Sequence, residues 1–305
     1  MLDKCVNLNI LKGRINMDKN FVLLTDSSAD LTPELVQELD VDVVSLTVSV
    51  DGGEYIPGNE LDIKDFYNSL REGKTATTSA INLDAAMAAL EKHVAEGKDV
   101  LYVAFSSGLS STAQTGKLAA EELSEKYPDR KIIVVDSLCA SLGQGLLVYY
   151  AAKMCNEGKT IEEVRDWLEA NKLHLSHWFT VDDLHHLKRG GRVSAATAVV
   201  GTMLSIKPVL HVDNEGHLIN VSKARGRKPS IQALANKIGE TAMGDISEQV
   251  VFISHGDCED DAKYLADMVR EKYNPKRIEM GHVGAVIGAH SGPGTLALFF
   301  LGNER

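Results

Sequence analysis

Side chains with hydroxyl groups cluster where the predicted strands of this sequence end. The four clusters are Ser27-Ser28, Ser106-Ser107, Ser137 and residues 75–79. Three of them follow apolar, strand-like runs, and the fourth precedes a predicted helix. Ligands of an open parallel sheet bind outside the carboxyl ends of its strands, so we expect these loops to line one crevice suited to a small anion. The alternative that each hydroxyl only caps the helix after it stays open.

The kind of anion follows from what these loops lack. None of the four clusters contains lysine or arginine, which a polyphosphate would favour and a single carboxylate does not require. The sequence has no G-x-x-x-x-G-K-[ST] motif and no G-x-G-x-x-G turn between a strand and a helix. Nucleotide binding is therefore not indicated, and the crevice is predicted to be a neutral site that holds a carboxylate.

Two other kinds of site are weaker alternatives. A serine nucleophile lacks the G-x-S-x-G motif, although a triad built from residues far apart in sequence stays open. The segment 174–186 is rich in histidine and aspartate, but adjacent His185 and His186 point to different sides of a helix and no recognised ligand spacing is present. We expect neither a metal nor another cofactor.

The distribution of charged residues indicates which kinds of molecule the protein can bind. The chain of 305 residues has 32 Lys and Arg against 43 Asp and Glu, a net charge of −11, which argues against nucleic-acid binding. Basic residues nevertheless concentrate at 188–192 and 225–228. Each of these is either a solvated loop or a docking patch for a phosphate or an acidic partner. A third feature, the glycine-rich turn 290–294, is predicted to close a strand and to place an imidazole near the crevice.

The order of predicted elements indicates an α/β fold with two domains. From residue 21 to about 156, buried strands alternate with helices, which predicts a mostly parallel, doubly wound sheet. The second half contains a predicted hairpin with a turn at 213–216, and its order of elements indicates an α+β fold. We predict a flexible extension over 1–17, an α/β domain over 18–175 and an α+β domain over 176–305. No secretory signal or membrane span is indicated, and the four cysteines form no C-x-x-C pair, so we expect a cytoplasmic protein.

Eight motifs, in order from about residue 20 to the end, resemble those of the DegV family. They are DSSADL at 26–31, TS at 78–79, SSGLS at 106–110, DS at 136–137, LKRGGRVS at 187–194, KPVL at 207–210, RGRK at 225–228 and IGAHSGPG at 287–294. The resemblance implies two domains with a long-chain fatty acid buried between them. It also implies that the protein is not itself an enzyme, but the acyl-carrying subunit of a fatty acid kinase.

The resemblance assigns roles residue by residue. It implies that Thr78 and Ser107 hold the acyl carboxylate, that their neighbours Ser79 and Gly108 belong to the same site, and that His290 joins the hydrogen-bond network. Basic residues, Arg192 and Arg225, are implied to dock a kinase, which phosphorylates the carboxylate with ATP. The acyl phosphate then passes to an acyltransferase of phospholipid synthesis. The alternative function is a serine-dependent acyl-ester or thioester hydrolase that uses Ser107 and His290.

The segment after the TS motif departs from the family pattern. Ala80-Ile81 stands where the family usually has Gln-Pro, so the loop loses stiffness and one amide group. The charge-free stretch 193–206 is predicted to form either a wall of the acyl tunnel or ordinary core.

Overall fold

The structure is a computed structural model that describes residues 21–193 and 206–305. Within these residues the strands are β1 (Phe21–Asp26), β2 (Asp42–Val44), β3 (Thr47–Val50), β4 (Ile56–Pro57), β5 (Ala76–Ser79), β6 (Asp99–Ala104), β7 (Ile132–Asp136), β8 (Leu175–Thr180), β9 (Ile206–Val212), β10 (Leu218–Arg225), β11 (Val250–His255), β12 (Arg277–His282) and β13 (Leu296–Leu301). The helices are α1 (Pro33–Leu39), α2 (Ile63–Arg71), α3 (Leu83–Val94), α4 (Thr112–Lys126), α5 (Leu142–Asn156), α6 (Ile161–Asn171), α7 (Leu184–Arg189), α8 (Arg227–Thr241), α9 (Glu259–Tyr273) and α10 (Ala285–Ser291). None of these helices combines the length and the apolar character that crossing a membrane requires.

The first half of the chain forms a four-stranded parallel sheet in the order β2-β1-β6-β7. Every pairing in it is parallel, with Leu23 of β1 opposite Leu101 of β6. Its two central strands, β1 and β6, are almost entirely buried, because helices cover both faces of a parallel sheet and leave no polar side. The predicted α/β fold with a parallel sheet is confirmed.

The second half forms a six-stranded, mainly antiparallel sheet in the order β10-β9-β8-β13-β11-β12. Only β11 and β12 pair in parallel. The predicted hairpin is present as β9 and β10, whose turn is closed by the N–H of Gly216 donating to the carbonyl of Asp213. Helices α8 and α9 pack on one face of the sheet and α5 on the other, which confirms the predicted sheet-rich second region.

One hydroxyl cluster has a different local structure from the expected loop. Residues 76–79 form β5, which belongs to a separate three-stranded sheet in the order β4-β3-β5. Thr78 pairs with Val48 of β3 in this sheet. Residues alternate across a strand, and accordingly Ala76 and Thr78 are partly buried whereas Thr77 and Ser79 are exposed.

The glycine-rich segment near the C-terminus is also different from the prediction. We expected residues 290–294 to be a turn that closes a strand; the structure has helix α10 between β12 and β13, and His290 lies in that helix. The run AVIGAHS is too short for its periodicity to distinguish a helix from a strand. Tertiary packing decides, because Tyr67 donates a 2.7 Å hydrogen bond to the carbonyl of Val283 and a Cβ at Gly288 would collide with the Tyr67 ring.

The four-stranded and six-stranded sheets pack against each other through α5. This helix is buried along most of its length, and its cluster includes Leu101 from the first sheet and Phe299 from the second. The strands of the parallel sheet all precede residue 137 and those of the six-stranded sheet all follow residue 174. The domain division at 175–176 itself stays a prediction. The proposed N-terminal extension, and nearly all of the stretch 193–206, lie outside the described residues.

Candidate functional site: an apolar cavity with a polar corner

A cavity lies where the six-stranded sheet, helix α10, strand β5 and the beginning of α5 meet. Its volume is about 150 Å³. Most of its wall is apolar, and its large apolar side chains are Leu46, Phe105, Leu109, Phe179, Leu187 and Phe299. The few polar groups in such a wall therefore decide how a ligand is oriented.

Thr78 and His290 meet in one corner of this cavity. The inward face of β5 presents Thr78, and the last turn of α10 presents His290. The Thr78 Oγ1 atom lies 2.8 Å from the His290 Nε2 atom. Both residues were predicted site residues, and the structure brings them together. Their contact joins an element of the first half of the chain to an element of the second.

The protonation of His290 follows from its surroundings. Burial, together with the positive charge of Arg192, lowers its pKa to about 4, so the ring is neutral at pH 7. The Nδ1 atom is buried and has no hydrogen-bond partner among the described residues. A buried N–H without a partner is costly, so the proton is assigned to Nε2, which donates to Thr78. The hydroxyl proton of Thr78 is then free to donate to a ligand.

Arg192 supplies a positive charge at the same corner, although the sequence predicted a neutral site and gave Arg192 a docking role. The residue lines the cavity, where its Nε donates to the carbonyl of Leu109 at 3.2 Å and its Nη1 to that of Gly190 at 2.5 Å. No carboxylate of the described residues forms an ion pair with it. We call Thr78, His290 and Arg192 the polar corner.

Gly190 is needed for this arrangement. A Cβ atom at position 190 would collide with the Nδ1 atom of His290. Gly190 follows directly after α7, and its own N–H donates to the carbonyl of His186. The glycines of the basic segment 188–192 therefore do more than form a solvated loop: one of them lets the imidazole approach the backbone.

The other predicted ligand-binding residues do not line the cavity. Ser107 is exposed, and its N–H donates to the carboxylate of Asp136 at 3.1 Å. Gly108 lies against the backbone of Gly216, where a Cβ would collide. Ser79 is exposed on the outer face of β5, and its hydroxyl donates to the carbonyl of Ala80. Their roles in ligand binding stay predictions.

Most of the hydroxyl clusters bind the protein's own backbone. Ser27 accepts from the N–H of Leu46, the buried Ser106 donates to the carbonyl of Gly216, and Ser137 accepts from the N–H of Cys139. These three hydroxyls neither cap the helix that follows them nor line the cavity. Arg225, the other predicted docking residue, is exposed at the end of β10.

Sequence reasoning missed a second group of polar residues in the wall. Ser141, at the beginning of α5, and Ser254, in β11, lie 3.0 Å apart between their hydroxyl oxygens. The Ser141 hydroxyl also donates to the buried carboxyl of Asp30 at 2.5 Å. Burial raises the pKa of Asp30 to about 7. The only local signal was a serine at the end of the buried strand VVFISH, where polar residues often face a crevice.

The described residues contain no group of three or more side chains arranged to hold a metal ion. The histidines of segment 174–186 are dispersed: His177 is buried beside Phe299, whereas His185 is exposed near Lys188 and Arg189. The chemistry that the site offers is therefore that of hydrogen bonds and one positive charge at the edge of an apolar space.

The fold and cavity define a class of α/β proteins with an enclosed site between a parallel and a mixed sheet. The chain belongs to the DegV family: a family model described as "Uncharacterised protein, DegV family" matches residues 20–303. A DegV domain-containing protein of Clostridium perfringens is 50% identical over 94% of this chain and 99% of its own length.

Solved structures agree with this assignment. A DegV lipid-binding protein from Thermotoga maritima is 32% identical, with a TM-score of 0.83 over 93% of this chain and 99% of its own. A DegV family protein from Thermus thermophilus, described by its fatty acid binding, is 31% identical, with a TM-score of 0.84 over 92% and 99%. The fold predicted from the motifs is confirmed, and structural relatives of this chain bind fatty acids.

Proposed function

We propose that this protein binds one long-chain fatty acid in the cavity, with the carboxylate at the polar corner and the acyl chain along the apolar wall. The observation that carries the proposal is the polar corner itself: a hydroxyl directed by a neutral imidazole, beside an arginine that has no carboxylate partner among the described residues, at the edge of a mostly apolar cavity. The fatty acids bound by structural relatives support it.

The corner matches the chemistry of a carboxylate. The hydroxyl of Thr78 has a proton to donate, because its oxygen accepts from His290. The guanidinium of Arg192 retains donors beyond the two that bind carbonyls and adds a charge-assisted contact. These donors therefore stabilise the ionised carboxylate of the ligand over the protonated acid. The carboxylate is also the form whose oxygen is nucleophilic.

The acyl chain provides most of the affinity. Burial of a chain of about 15 methylene groups at ~0.8 kcal/mol each gives a gross gain on the order of 10 kcal/mol before ordering costs are subtracted. Such a ligand stays bound through purification. Because most of the wall along the tail is apolar, the contribution of the tail to the affinity is expected to change little with salt.

Presentation of the carboxylate to a partner is the second half of the proposal. The SSGLS loop contributes Leu109 to the wall of the cavity and follows the lining residue Phe105, while its Ser107 is exposed. The exposed Arg225 offers a cation to an acidic surface. In this account the protein is a non-catalytic, cytoplasmic subunit that offers the acyl carboxylate to an ATP-dependent kinase, and the acyl phosphate goes on to phospholipid synthesis.

The test compares ligands that differ only in the head group. The delipidated protein is titrated with hexadecanoic acid, hexadecanol and the methyl ester of the acid. We expect the acid to bind at least tenfold more tightly than the other two. Equal affinity for all three would contradict a carboxylate site. Steady release of methanol from the ester would instead support the hydrolase alternative, although the structure pairs His290 with Thr78 rather than with Ser107.

A further inference from the structure

A second polar site in the same cavity is formed by Ser254 and Ser141, which we call the serine pair, with Asp30 behind it. From this geometry we infer that the cavity accepts an acyl chain with a hydroxyl group near its middle, and that Ser254 binds that hydroxyl. The inference rests on the proposed function, because it assigns a ligand class to the same cavity. Three observations support it: the hydrogen bonds of the serine pair, a ring nitrogen of His177 that has no partner among the described residues, and the separation of the serine pair from the polar corner.

The serine pair is buried in a wall that is otherwise apolar. Ser254 is fully buried and Ser141 is 5% exposed, and both line the cavity. Ser254 pairs across the sheet with Ala297, whose small side chain leaves room on the cavity face. A buried hydroxyl in an apolar wall costs free energy unless its hydrogen-bonding capacity is used. Part of that capacity is still unused here.

The hydrogen bonds show what is unused. Ser141 donates to Asp30 at 2.5 Å and accepts from Ser254, whose oxygen lies 3.0 Å away. The Ser254 oxygen then keeps its lone pairs for a donor in the cavity. With the pKa of Asp30 at about 7, its protonated form is also populated near neutrality. A proton on Asp30 reverses the chain, so that Ser254 donates into the cavity. A ligand hydroxyl, which both donates and accepts, suits either state.

His177 adds an acceptor on the same face of the sheet. Its Nδ1 lies 2.9 Å from the carbonyl of Leu175, which can only accept, so Nδ1 carries the proton and Nε2 is a bare acceptor. The ring is 2% exposed and lines the cavity, and Nε2 has no hydrogen-bond partner among the described residues. The ring packs on Gly143, two residues beyond Ser141. A buried acceptor without a partner calls for a donor, and a carboxylate or a methylene chain supplies none.

The position of the hydroxyl on the chain follows from α10. A Cβ at Gly284, which precedes this helix, would contact the Asp30 carboxyl, whereas His290 lies in the last turn. Six residues at 1.5 Å per residue separate the two positions by about 9 Å along the helix axis. Ser141 joins Asp30 to Ser254 through hydrogen bonds of 2.5 and 3.0 Å. The hydroxyl is therefore expected some way along the acyl chain from the carboxylate, and a chain with a hydroxyl near its middle is the probe.

Ser141 has a backbone conformation that suits a functional position better than a structural one. Its φ of 53° and ψ of −149° lie in a region that glycine favours, and its side chain makes no capping bond to α5. Glycine would relieve the strain and remove the hydroxyl. Ser141→Gly is thus a variant that is expected to fold.

The experiment measures the equilibrium affinity of the delipidated protein for octadecanoic acid and for 10-hydroxyoctadecanoic acid. We expect the wild-type protein to bind the hydroxy acid at least as tightly as the plain acid. Both Ser254→Ala and Ser141→Gly are expected to lower the affinity for the hydroxy acid at least tenfold more than the affinity for the plain acid. The matched control is Ser176→Ala, a buried serine on strand β8 of the same sheet whose hydroxyl faces the carbonyl of Glu304 rather than the cavity.

The outcomes separate the two proposals. The wild-type protein could bind the plain acid but bind the hydroxy acid with an affinity at least tenfold lower. The serine pair then binds only a fixed water, so the inference is wrong while the proposed function stands. Equal weakening of both acids by Ser254→Ala also overturns the inference, since the residue then acts only on the shape of the cavity. If neither acid binds, both proposals fail.

Discussion

The Oγ1 atom of Thr78 and the Nε2 atom of His290 lie 2.8 Å apart, although 212 residues separate them in the sequence. Strand β5 presents the first and helix α10 the second. The hydrogen bond connects the two halves of the chain at the edge of the cavity. It also fixes the direction of the threonine proton, because an oxygen that accepts from the imidazole can donate to a ligand.

Replacement of Thr78 by valine removes the hydroxyl and keeps the shape of the side chain. We expect the affinity for hexadecanoic acid to fall about tenfold or more, because a hydrogen bond to a charged group contributes ~1.5–3 kcal/mol. Equilibrium titration of the delipidated protein measures the change. The matched control is Thr77→Val on the exposed face of the same strand, which is expected to leave the affinity unchanged. A similar loss in both variants would contradict the assignment of Thr78.

Arg192→Gln and Arg225→Gln separate ligand binding from partner docking. The first removes the charge of the polar corner, so the fatty acid is expected to bind about tenfold more weakly. It also removes a charge that lowers the pKa of His290, so this pKa, followed by NMR, rises. Arg225→Gln leaves both properties unchanged but slows ATP-dependent acyl phosphate formation by the kinase. Unchanged fatty acid binding in Arg192→Gln would return that residue to the docking role predicted from the sequence.

Gly190→Ala tests the close approach of the backbone to His290. The added Cβ collides with the imidazole, so we expect lower thermal stability and weaker fatty acid binding. The double variant Gly190→Ala, His290→Ala removes the collision, and its loss of stability is expected to be smaller than the sum of the two single losses. Additive losses would mean that the two residues do not interact.

The buried carboxyl of Asp30 predicts a pH dependence of stability. Its pKa is raised from 3.8 to about 7 by burial, so between these values the folded state binds a proton that the unfolded state has lost. The contribution of this group to stability is complete below about pH 4 and is lost as the pH rises towards 7, by about 1.4 kcal/mol per pH unit at most.

Asp30→Asn removes this dependence. The difference in the free energy of unfolding between wild type and variant, measured by denaturant titration, is expected to move in favour of the variant as the pH rises from 4 to 7. Histidines with a lowered pKa, among them His255, make the stability rise with pH instead. Their contribution is the same in both proteins, so it cancels in the difference between the two free energies of unfolding. A difference that stays constant with pH would show that Asp30 is ionised over the whole range.

The sequence predicts the strands of the parallel sheet well, because runs such as those of β1 and β6 must be buried on both faces. Local signals also favour helix α1, because threonine is a preferred N-cap and proline a preferred first residue, and Thr32 and Pro33 take these positions. The short helix α10 was not predictable from its own residues, since packing on Tyr67 decides its conformation.

The site was predicted in part. Thr78 and His290 came from a family resemblance, and no local property of either residue showed that they meet. Arg192 resembled a solvated residue because glycines surround it, and its place in the cavity wall depends on tertiary structure. The serine pair joins residues 113 positions apart. Such a pair carries no signal in a single sequence, because the strand and the helix that present the two serines are each ordinary.

Mass spectrometry of the protein purified from cells tests the central claim most directly. Spectra are recorded under native conditions and again after solvent extraction. The account predicts one bound fatty acid per chain, lost on extraction, and its mass also shows whether the acyl chain carries a hydroxyl. Purified protein that is free of lipid, and that takes up no added fatty acid, would contradict the account.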